Sequence, residues 1–250
     1  MSSSASPSPR PSPSFDAKAA RYDELRPVDD QWWRAFDEIV RLGDLRGRRV
    51  IDVGCGTGRL AQALGERASA RVWGVDVSEE MAVRARELGV NVRVARAEAL
   101  PFKPGWFERG VLRMVAHLLD RPRAFGELAR VIRSDGRVVV ATSDPASFDE
   151  HWLREFFPSL RAIERARFPG EEELRTELTG AGFAFVTFTR LSVERTMTKE
   201  HALETIRAKI YSTYDLLTAE EYTAGLARAE SELRETFPHR FDWLFAVASK

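Results

Sequence analysis

Three glycines and one aspartate carry the chemistry that this sequence suggests first. The apolar segment 50–53 runs into Gly54, Gly56 and Gly58, which are spaced two apart and are followed by a helical pattern. Glycine admits a positive φ and has no Cβ, so a ligand can lie against bare main chain at the N-terminus of a helix. Asp76 ends the next apolar segment, about 20 residues further on, where a doubly wound fold binds ribose hydroxyls. Together these residues predict a nucleoside-binding site.

The spacing of the glycines narrows the choice of ligand. A dinucleotide fold expects G-x-G-x-x-G, in which the last glycine seats the helix against the strand. Here Arg59 occupies that last position, and Gly58 comes one residue early. The pattern therefore disfavours a nicotinamide-dependent oxidoreductase.

Alternating strands and helices must position these residues. Short apolar runs predict strands, and apolar residues at helical spacing predict the helices between them. Strand followed by helix, repeated early in the chain, indicates a parallel sheet with right-handed crossovers. The predicted strands are 50–53, 70–76, 91–95, 107–112, 138–142, 182–190 and 241–248, and the predicted helices are 15–26, 30–42, 59–66, 78–88, 122–132, 171–180, 198–214 and 218–236.

The run VIDVGCGTGRL followed by GVDVSEEM resembles the class I S-adenosylmethionine-dependent methyltransferases, in particular small bacterial enzymes with a type 11-like domain. The resemblance covers roughly residues 15–190. It implies an α/β, Rossmann-like, doubly wound seven-stranded sheet that is mostly parallel with an antiparallel edge strand. It also implies a helical insertion before the last strand, S-adenosyl-L-methionine as the methyl donor and S-adenosyl-L-homocysteine as the product.

The resemblance further implies which residues bind the cofactor. The aminoacyl end is expected against the glycine turn, the ribose against Asp76, and the adenine between Val77 and Met81. Relatives carry an aspartate near the adenine amino group where this chain has Arg96, which offers no hydrogen-bond acceptor. Backbone atoms, Glu98 or an altered arrangement must then bind the adenine. The full predicted set is Tyr22, Arg26, Asp52, Gly54, Cys55, Gly56, Gly58, Asp76, Val77, Met81, Ala97, Glu98 and Arg113.

The segment 15–27 resembles a family pattern, F-x-x-x-A-x-x-Y-D-x-x-R-P, that folds over the cofactor pocket. On that basis Tyr22 is expected beside the methyl donor and Arg26 beside a carboxylate. The alternative is an ordinary amphipathic helix that packs on the sheet.

One histidine is a candidate catalytic residue. His117 matches the second histidine of the family's H-H-x-x-D segment, and a histidine there can take a proton from an attacking oxygen or nitrogen. The alternative is a histidine that only packs and forms hydrogen bonds. His151 is a more distant candidate for the same role.

Composition and missing motifs restrict the acceptor. Lys plus Arg and Asp plus Glu both number 38, so no overall charge attracts a polyanion. Cys55 is the only cysteine and the four histidines lack ligand spacing, which argues against a disulfide framework, base C5 methylation and a metal centre. The site after the fourth strand reads RMVAHL instead of the N/D-P-P-Y of nucleic-acid amino-methylating enzymes. We therefore expect a cytoplasmic enzyme that acts on a small molecule, without a nucleic-acid partner or membrane insertion, as a monomer or homodimer.

Two other readings stay open at this point. One is a protein that binds the cofactor without catalysing transfer, and the other is a methyltransferase that acts on RNA or protein. Residues 1–14 are rich in Ser and Pro and predict a disordered tail before a methyltransferase domain over 15–250. Within it, 192–240 predicts a helical lid, or alternatively a surface hairpin. Aromatic residues near the presumed mouth would suit an apolar or aromatic acceptor, although core packing explains them equally well: Trp152, Phe156, Phe157, Tyr211, Tyr214 and Tyr222.

Overall fold

One seven-stranded sheet organises the chain in a computed structural model that describes residues 16–250. The strands lie in the order β3-β2-β1-β4-β5-β7-β6. β1 to β5 are mutually parallel, and β7 is antiparallel to both of its neighbours. The strands are β1 Arg49–Val53, β2 Arg71–Asp76, β3 Asn91–Val94, β4 Phe107–Arg113, β5 Ile132–Ser143, β6 Phe185–Thr198 and β7 Thr236–Ser249.

Helices cover both faces of this sheet. Several begin at side chains that accept a hydrogen bond from a free N–H group of the first turn, as Asp29 does from Trp32 and Ser78 does from Met81. The helices are α1 Asp16–Leu25, α2 Asp30–Gly43, α3 Arg59–Ala68, α4 Glu79–Glu87, α5 Arg121–Val131, α6 Leu160–Arg165, α7 Glu171–Gly180, α8 Lys199–Arg207 and α9 Ala219–Glu232.

The core has two layers because neighbouring residues of the central strands point to opposite faces. Ile51 and Leu112 pack in one layer with α5 and α7, while Val50 and Val111 pack in the other layer with α2 and α3. All four side chains are fully buried. Burial on both faces explains why these strands read as continuous apolar runs in the sequence.

A third, smaller core lies outside the sheet. Phe157 and Tyr214 are fully buried there, with ring centroids 5.5 Å apart, between the segment around α6 and the segment from α8 to α9. All six aromatic residues that the sequence offered for the acceptor pack in this cluster: Trp152, Phe156, Phe157, Tyr211, Tyr214 and Tyr222. Core packing, the alternative considered in the sequence analysis, therefore describes five of them, whereas Tyr211 also borders the cavities described below.

The predicted fold is confirmed, and the structure refines its C-terminal part. The antiparallel strand β7 lies between β5 and β6, so β6 forms the edge of the sheet. β6 and β7 pair along their full length, from Phe185 opposite Ser249 to Thr198 opposite Thr236, whereas β5 pairs with β7 only over 137–143. The helical segment consequently spans 199–235, which is narrower than the 192–240 expected. The predicted disordered tail lies outside the described residues.

No helix within residues 16–250 is long and apolar enough to cross a membrane.

Candidate functional site

The candidate site lies at the carboxyl ends of β1, β2 and β4, where the glycine turn begins. Gly54 has φ +70°, and its N–H donates to the Val75 carbonyl over 2.7 Å. A Cβ at Gly54 would stand 2.4 Å from a Val115 methyl carbon, so only glycine fits. This turn borders two of the three cavities that lie at this end of the sheet.

The three cavities share part of their walls. The first is lined by Asp52, Cys55, Arg59 and Trp243 among others, the second by Asp76, Val77, Met81 and Ala97 among others, and the third by His117, His151, Glu164 and Phe168 among others. Tyr22 and Met114 line all three. A ligand that fills the first two cavities therefore approaches a ligand in the third at these two side chains.

Asp76 lies in the wall of the second cavity. Its Oδ2 accepts a hydrogen bond from the Gly56 N–H at 2.8 Å, and its Oδ1 accepts one from the Ser78 N–H at 3.0 Å. Gly56 has φ +54°, and a Cβ there would have no atom within 4 Å. The glycine turn thus leaves space that a nucleoside can use, and Asp76 lies beside it.

Arg96 lies at the rim of the second cavity. Its side chain is 63% exposed and pairs over 3.3 Å with Glu98, which is only 11% exposed. The other carboxylate oxygen of Glu98 accepts from the Asp120 N–H at 3.0 Å. Arg96 therefore points largely into solvent, and Glu98 brings a fixed carboxylate to the wall of the second cavity.

Asp52 is a buried carboxyl group in the wall of the first cavity. Within residues 16–250, its Oδ2 has no hydrogen-bond partner. Burial raises the pKa of Asp52 to about 7, while the nearby Arg113 lowers it and Asp76 raises it further. A buried acceptor without a donor is costly. The arrangement fits a ligand that brings an N–H donor or a positive charge.

Arg113 supplies the matching positive charge. Its guanidinium lies 5.4 Å from the Trp32 ring and 5.3 Å from the Trp243 ring, which hold it by cation–π contacts. Burial lowers the pKa of Arg113 to about 10, so the group stays charged at neutral pH. It lines both the first and the second cavity. A carboxylate is the natural partner for it.

The end of α1 is fastened to the glycine turn. The Thr57 hydroxyl donates to Asp23 Oδ1 at 2.8 Å, and Arg59 donates to the carbonyl groups of Asp23 and Arg26 at 3.1 Å. Arg26 lies 5.1 Å from the rings of both Tyr22 and Tyr211. The structure therefore brings Tyr22 and Arg26 to the cavity wall, and Asp23, which the sequence analysis missed, secures them there.

Two residues predicted to bind the cofactor, Gly58 and Cys55, take part in packing between elements. Gly58 lines none of the three cavities, and a Cβ there would stand 2.8 Å from the Ala85 Cβ, so this glycine allows α3 to pack against α4. Cys55 borders the first cavity, but its sulfur fills the space left by Gly74. Burial raises the pKa of the Cys55 thiol, which keeps it protonated and unreactive.

Two histidines lie in the third cavity. The His117 ring stacks on Phe168 with centroids 4.0 Å apart, and its Nδ1 is buried without a partner in the described part of the chain. Burial and the charges of Arg167, Arg26 and Arg121 hold the pKa of His117 well below its ordinary value. Burial lowers the pKa of His151 to about 4. Both rings are neutral at pH 7, which makes them hydrogen-bond acceptors and weak bases.

Glu164 and Met114 are site residues that the sequence did not indicate. Glu164 lies on α6 and lines the third cavity, where burial raises its pKa to about 7. Met114 follows β4 with φ +55°, a left-handed conformation that is rare outside glycine and often marks functional sites. Nothing in the local sequence distinguishes Glu164 from the other charged residues of its helix. Met114 could have been predicted, because ligands in such folds bind at the carboxyl ends of the strands.

No group of three or more His, Cys, Asp or Glu side chains among the described residues is arranged to hold a metal ion.

Comparisons with known proteins identify the family. A family model described as a methyltransferase domain matches residues 51–140. The chain is 32% identical over 185 residues to the malonyl-[acyl-carrier protein] O-methyltransferase of Geobacter sulfurreducens, covering 69% of each chain. It is 27% identical over 202 residues to a ubiquinone/menaquinone biosynthesis C-methyltransferase of Geotalea uraniireducens, covering 68% of this chain and 86% of the relative.

A solved structure agrees on the fold. The geranyl diphosphate C-methyltransferase of Streptomyces coelicolor, in complex with S-adenosyl-L-homocysteine, superimposes with a TM-score of 0.56 at 18% identity, covering 87% of this chain and 79% of that one. The chain therefore belongs to the class I S-adenosylmethionine-dependent methyltransferases, enzymes that take the methyl group from S-adenosylmethionine. The family, enzyme class and cofactor predicted from the sequence are confirmed.

Proposed function

We propose that this methyltransferase transfers the methyl group to a small molecule bound in the third cavity. The observation that carries the proposal is that Tyr22 and Met114 line all three cavities. The reacting atoms would meet at this junction, away from bulk water. Catalysis by orientation in a dry site suits methyl transfer, because the sulfonium already activates the methyl group when the cofactor is bound.

The first two cavities offer the groups that the cofactor requires. Asp52 would accept from the ammonium group, and Arg113 would pair with the carboxylate. Backbone at Gly54 and Gly56 would lie against the aminoacyl chain. Asp76 would bind the ribose hydroxyls. Val77, Met81 and Ala97 would enclose the adenine, with Glu98 as an acceptor for its amino group.

The walls of the third cavity favour a small acceptor. Its apolar side chains come from several separate elements and include Phe148, Leu153, Phe168 and Phe241. The relatives named above are a C-methyltransferase and an O-methyltransferase, and the Streptomyces structure holds geranyl diphosphate. The formal net charge of zero gives no general attraction for RNA.

The helical segment 199–235 would act with α1 as a cover over this cavity. Lys18 on α1 and Asp215 in the segment form an ion pair of 2.5 Å, and Tyr211 contacts Arg26. Residues 211–213 line the third cavity directly. A helical hairpin that lay apart on the surface would make none of these contacts. We therefore propose that the segment 199–235 helps to enclose the acceptor.

A cavity-filling variant tests the proposal. Leu153→Trp should block the third cavity, so that formation of S-adenosylhomocysteine in the presence of a panel of small molecules is lost. Calorimetric affinity for S-adenosylmethionine should stay unchanged, because Leu153 lines neither cofactor cavity. Leu88→Trp, at the exposed end of α4, is the matched control and should behave as the wild type.

Two results would contradict the proposal. One is full activity of Leu153→Trp on every acceptor, and the other is transfer to RNA or protein fractions with none to small molecules. Failure of the protein to bind S-adenosylmethionine would refute the cofactor residues assigned above.

A further inference from the structure

The third cavity combines aromatic walls with a small set of polar groups, and these groups define the acceptor more narrowly. Phe168 and Phe148 meet edge to face with centroids 5.4 Å apart, and Phe168 also stacks on His117. Tyr211 and Phe241 also line the wall. Flat rings on several sides suit a planar ligand. This step rests on the function proposed above.

Charges around the cavity disfavour a cationic acceptor. Arg26 lines the wall. Arg167 donates to the hydroxyl groups of Ser212 and Thr213, at 2.8 and 3.1 Å, and both hydroxyl-bearing residues line the cavity. Arg121 lies further out, paired with Glu177. The charges of Arg167, Arg26 and Arg121 all lower the pKa of His117, so positive charge surrounds that ring. This positive charge disfavours an ammonium ion beside His117.

Glu164 is the group in this cavity that can take up a proton. Its carboxylate accepts from the Thr213 hydroxyl at 3.3 Å, and a carboxylate has room for about four such bonds. Burial raises the pKa of Glu164 to about 7, whereas the pKa values of His117 and His151 are lowered. The other titratable groups that line the cavity are Tyr22, Tyr211 and Arg26. Around neutrality Glu164 can therefore serve as a base where the histidines cannot.

We infer that the acceptor is a neutral planar hydroxyl compound, a phenol or an enol, whose O–H group is held by the Glu164 carboxylate. During transfer the O–H bond breaks and its proton passes to Glu164. The oxygen electron pair forms the new bond to the methyl carbon, and the carbon–sulfur bond breaks with its electron pair left on sulfur. The products are a methyl ether and the neutral thioether. A phenol, with a pKa near 10 like that of tyrosine, is acidic enough for this base, whereas an aliphatic alcohol is not.

A binding experiment with 4-nitrophenol tests the inference without turnover. Its absorbance distinguishes phenol from phenolate, so the ionisation of the bound probe can be followed in protein loaded with S-adenosylhomocysteine. At alkaline pH the ionised Glu164 should repel the phenolate. Glu164→Gln should therefore bind 4-nitrophenol more tightly than the wild type at alkaline pH, but not at acidic pH. Glu172→Gln, on the exposed side of α7, should match the wild type at both.

The protein loaded with S-adenosylhomocysteine can also be tested for binding of a cationic ligand. Benzyltrimethylammonium has a ring of the same size and a fixed positive charge, and it should not compete with 4-nitrophenol. Three results would overturn the inference: binding of the cation in preference to the phenol, no binding of the phenol to the wild type, or an affinity change in Glu164→Gln that is the same at all pH values. The last would indicate a structural role.

Activity provides a second readout. With a series of substituted phenols, Glu164→Gln should lower kcat about 100-fold or more, as expected for loss of a general base. The loss should grow as the phenols become less acidic. Transfer to amines but not to phenols would refute the inference while leaving the proposed small-molecule activity intact.

Discussion

The backbone N–H of Gly56 donates to Oδ2 of Asp76 over 2.8 Å, which ties the glycine turn after β1 to the end of β2. The two sequence features that first suggested a nucleoside site are therefore parts of one structure. Since a carboxylate can accept about four hydrogen bonds, Asp76 can hold the turn and still accept from ribose hydroxyls. Loss of this side chain should affect both functions.

Replacing Asp76 tests this double role. Asp76→Ala should weaken S-adenosylmethionine binding by about 100-fold, because hydrogen bonds to a charged group contribute about 1.5–3 kcal/mol each. Asp76→Asn keeps one acceptor oxygen and should lose less. Calorimetric titration measures both, with Glu87→Ala on the exposed face of α4 as the control. An unchanged affinity in Asp76→Ala would refute the assignment of Asp76 to the ribose.

A pair of glycines separates backbone strain from ligand contact. Gly47 and Gly56 both have positive φ, and a Cβ at either would meet no atom within 4 Å. Alanine at either position should therefore lower the free energy of unfolding by a similar amount, about 1–2 kcal/mol. Only Gly56 lines the cofactor cavities, so only Gly56→Ala should lower the affinity for S-adenosylmethionine, by about tenfold or more. Equal affinities in Gly47→Ala and Gly56→Ala would place the cofactor elsewhere.

The glycine turn and the acidic residue at the end of β2 could be predicted because they depend on local structure, while their assignment to the cofactor stays a prediction. Gly54 and Gly56 need a turn that only glycine adopts, and Asp76 ends a strand, so spacing along the chain was enough to place them. Gly58 looked equivalent in the motif, but it serves the packing of α3 on α4. Spacing alone does not distinguish a glycine that faces a ligand from one that faces a helix.

The residues that were missed depend on contacts between distant segments. Glu164 reaches the third cavity because α6 packs against 211–213, a contact that no local pattern encodes. Trp152 and Tyr222 are aromatic residues of the kind that binding sites contain, yet they pack in the third core. The sixth strand was predicted over 182–190 from its apolar residues alone. Its pairing with β7 carries it on to Thr198.

The third core can be tested separately from the site. Phe157 is fully buried and meets Tyr214, and a Cβ at Gly225 would stand 2.3 Å from its ring. Phe157→Ala should lower the free energy of unfolding by about 3–5 kcal/mol. Affinity for S-adenosylmethionine, measured well below the unfolding temperature, should not change. Phe185→Ala, at a side chain that is 72% exposed, should stay within about 0.5 kcal/mol of the wild type.

Two outcomes would contradict this description of the third core. A small loss of stability in Phe157→Ala would mean that the cluster is not a packed core. A large loss of cofactor affinity would mean that the cluster shapes the first two cavities.

The pKa of Asp52 predicts a pH dependence whose sign can be derived. Because its pKa is about 7 in the native protein and near 4 when exposed, the cofactor-free native state holds a proton that the unfolded chain releases. The contribution of Asp52 to stability is therefore largest below pH 4 and is lost as the pH rises to about 7. An ammonium group beside Asp52 favours the ionised form, so cofactor binding should tighten as the pH rises towards 7.

Calorimetry in two buffers of different ionisation enthalpy counts the protons involved. At pH 6 the binding of S-adenosylmethionine should release up to one proton, and this release should disappear in Asp52→Asn. Glu164 is another carboxyl group whose pKa is raised to about 7, and it lines the cavity that we assign to the acceptor. Glu164→Gln should therefore still release the proton. If the proton count were the same in Asp52→Asn and the wild type, Asp52 could not be the partner of the ammonium group. If Glu164→Gln alone abolished it, the cofactor would reach into the third cavity.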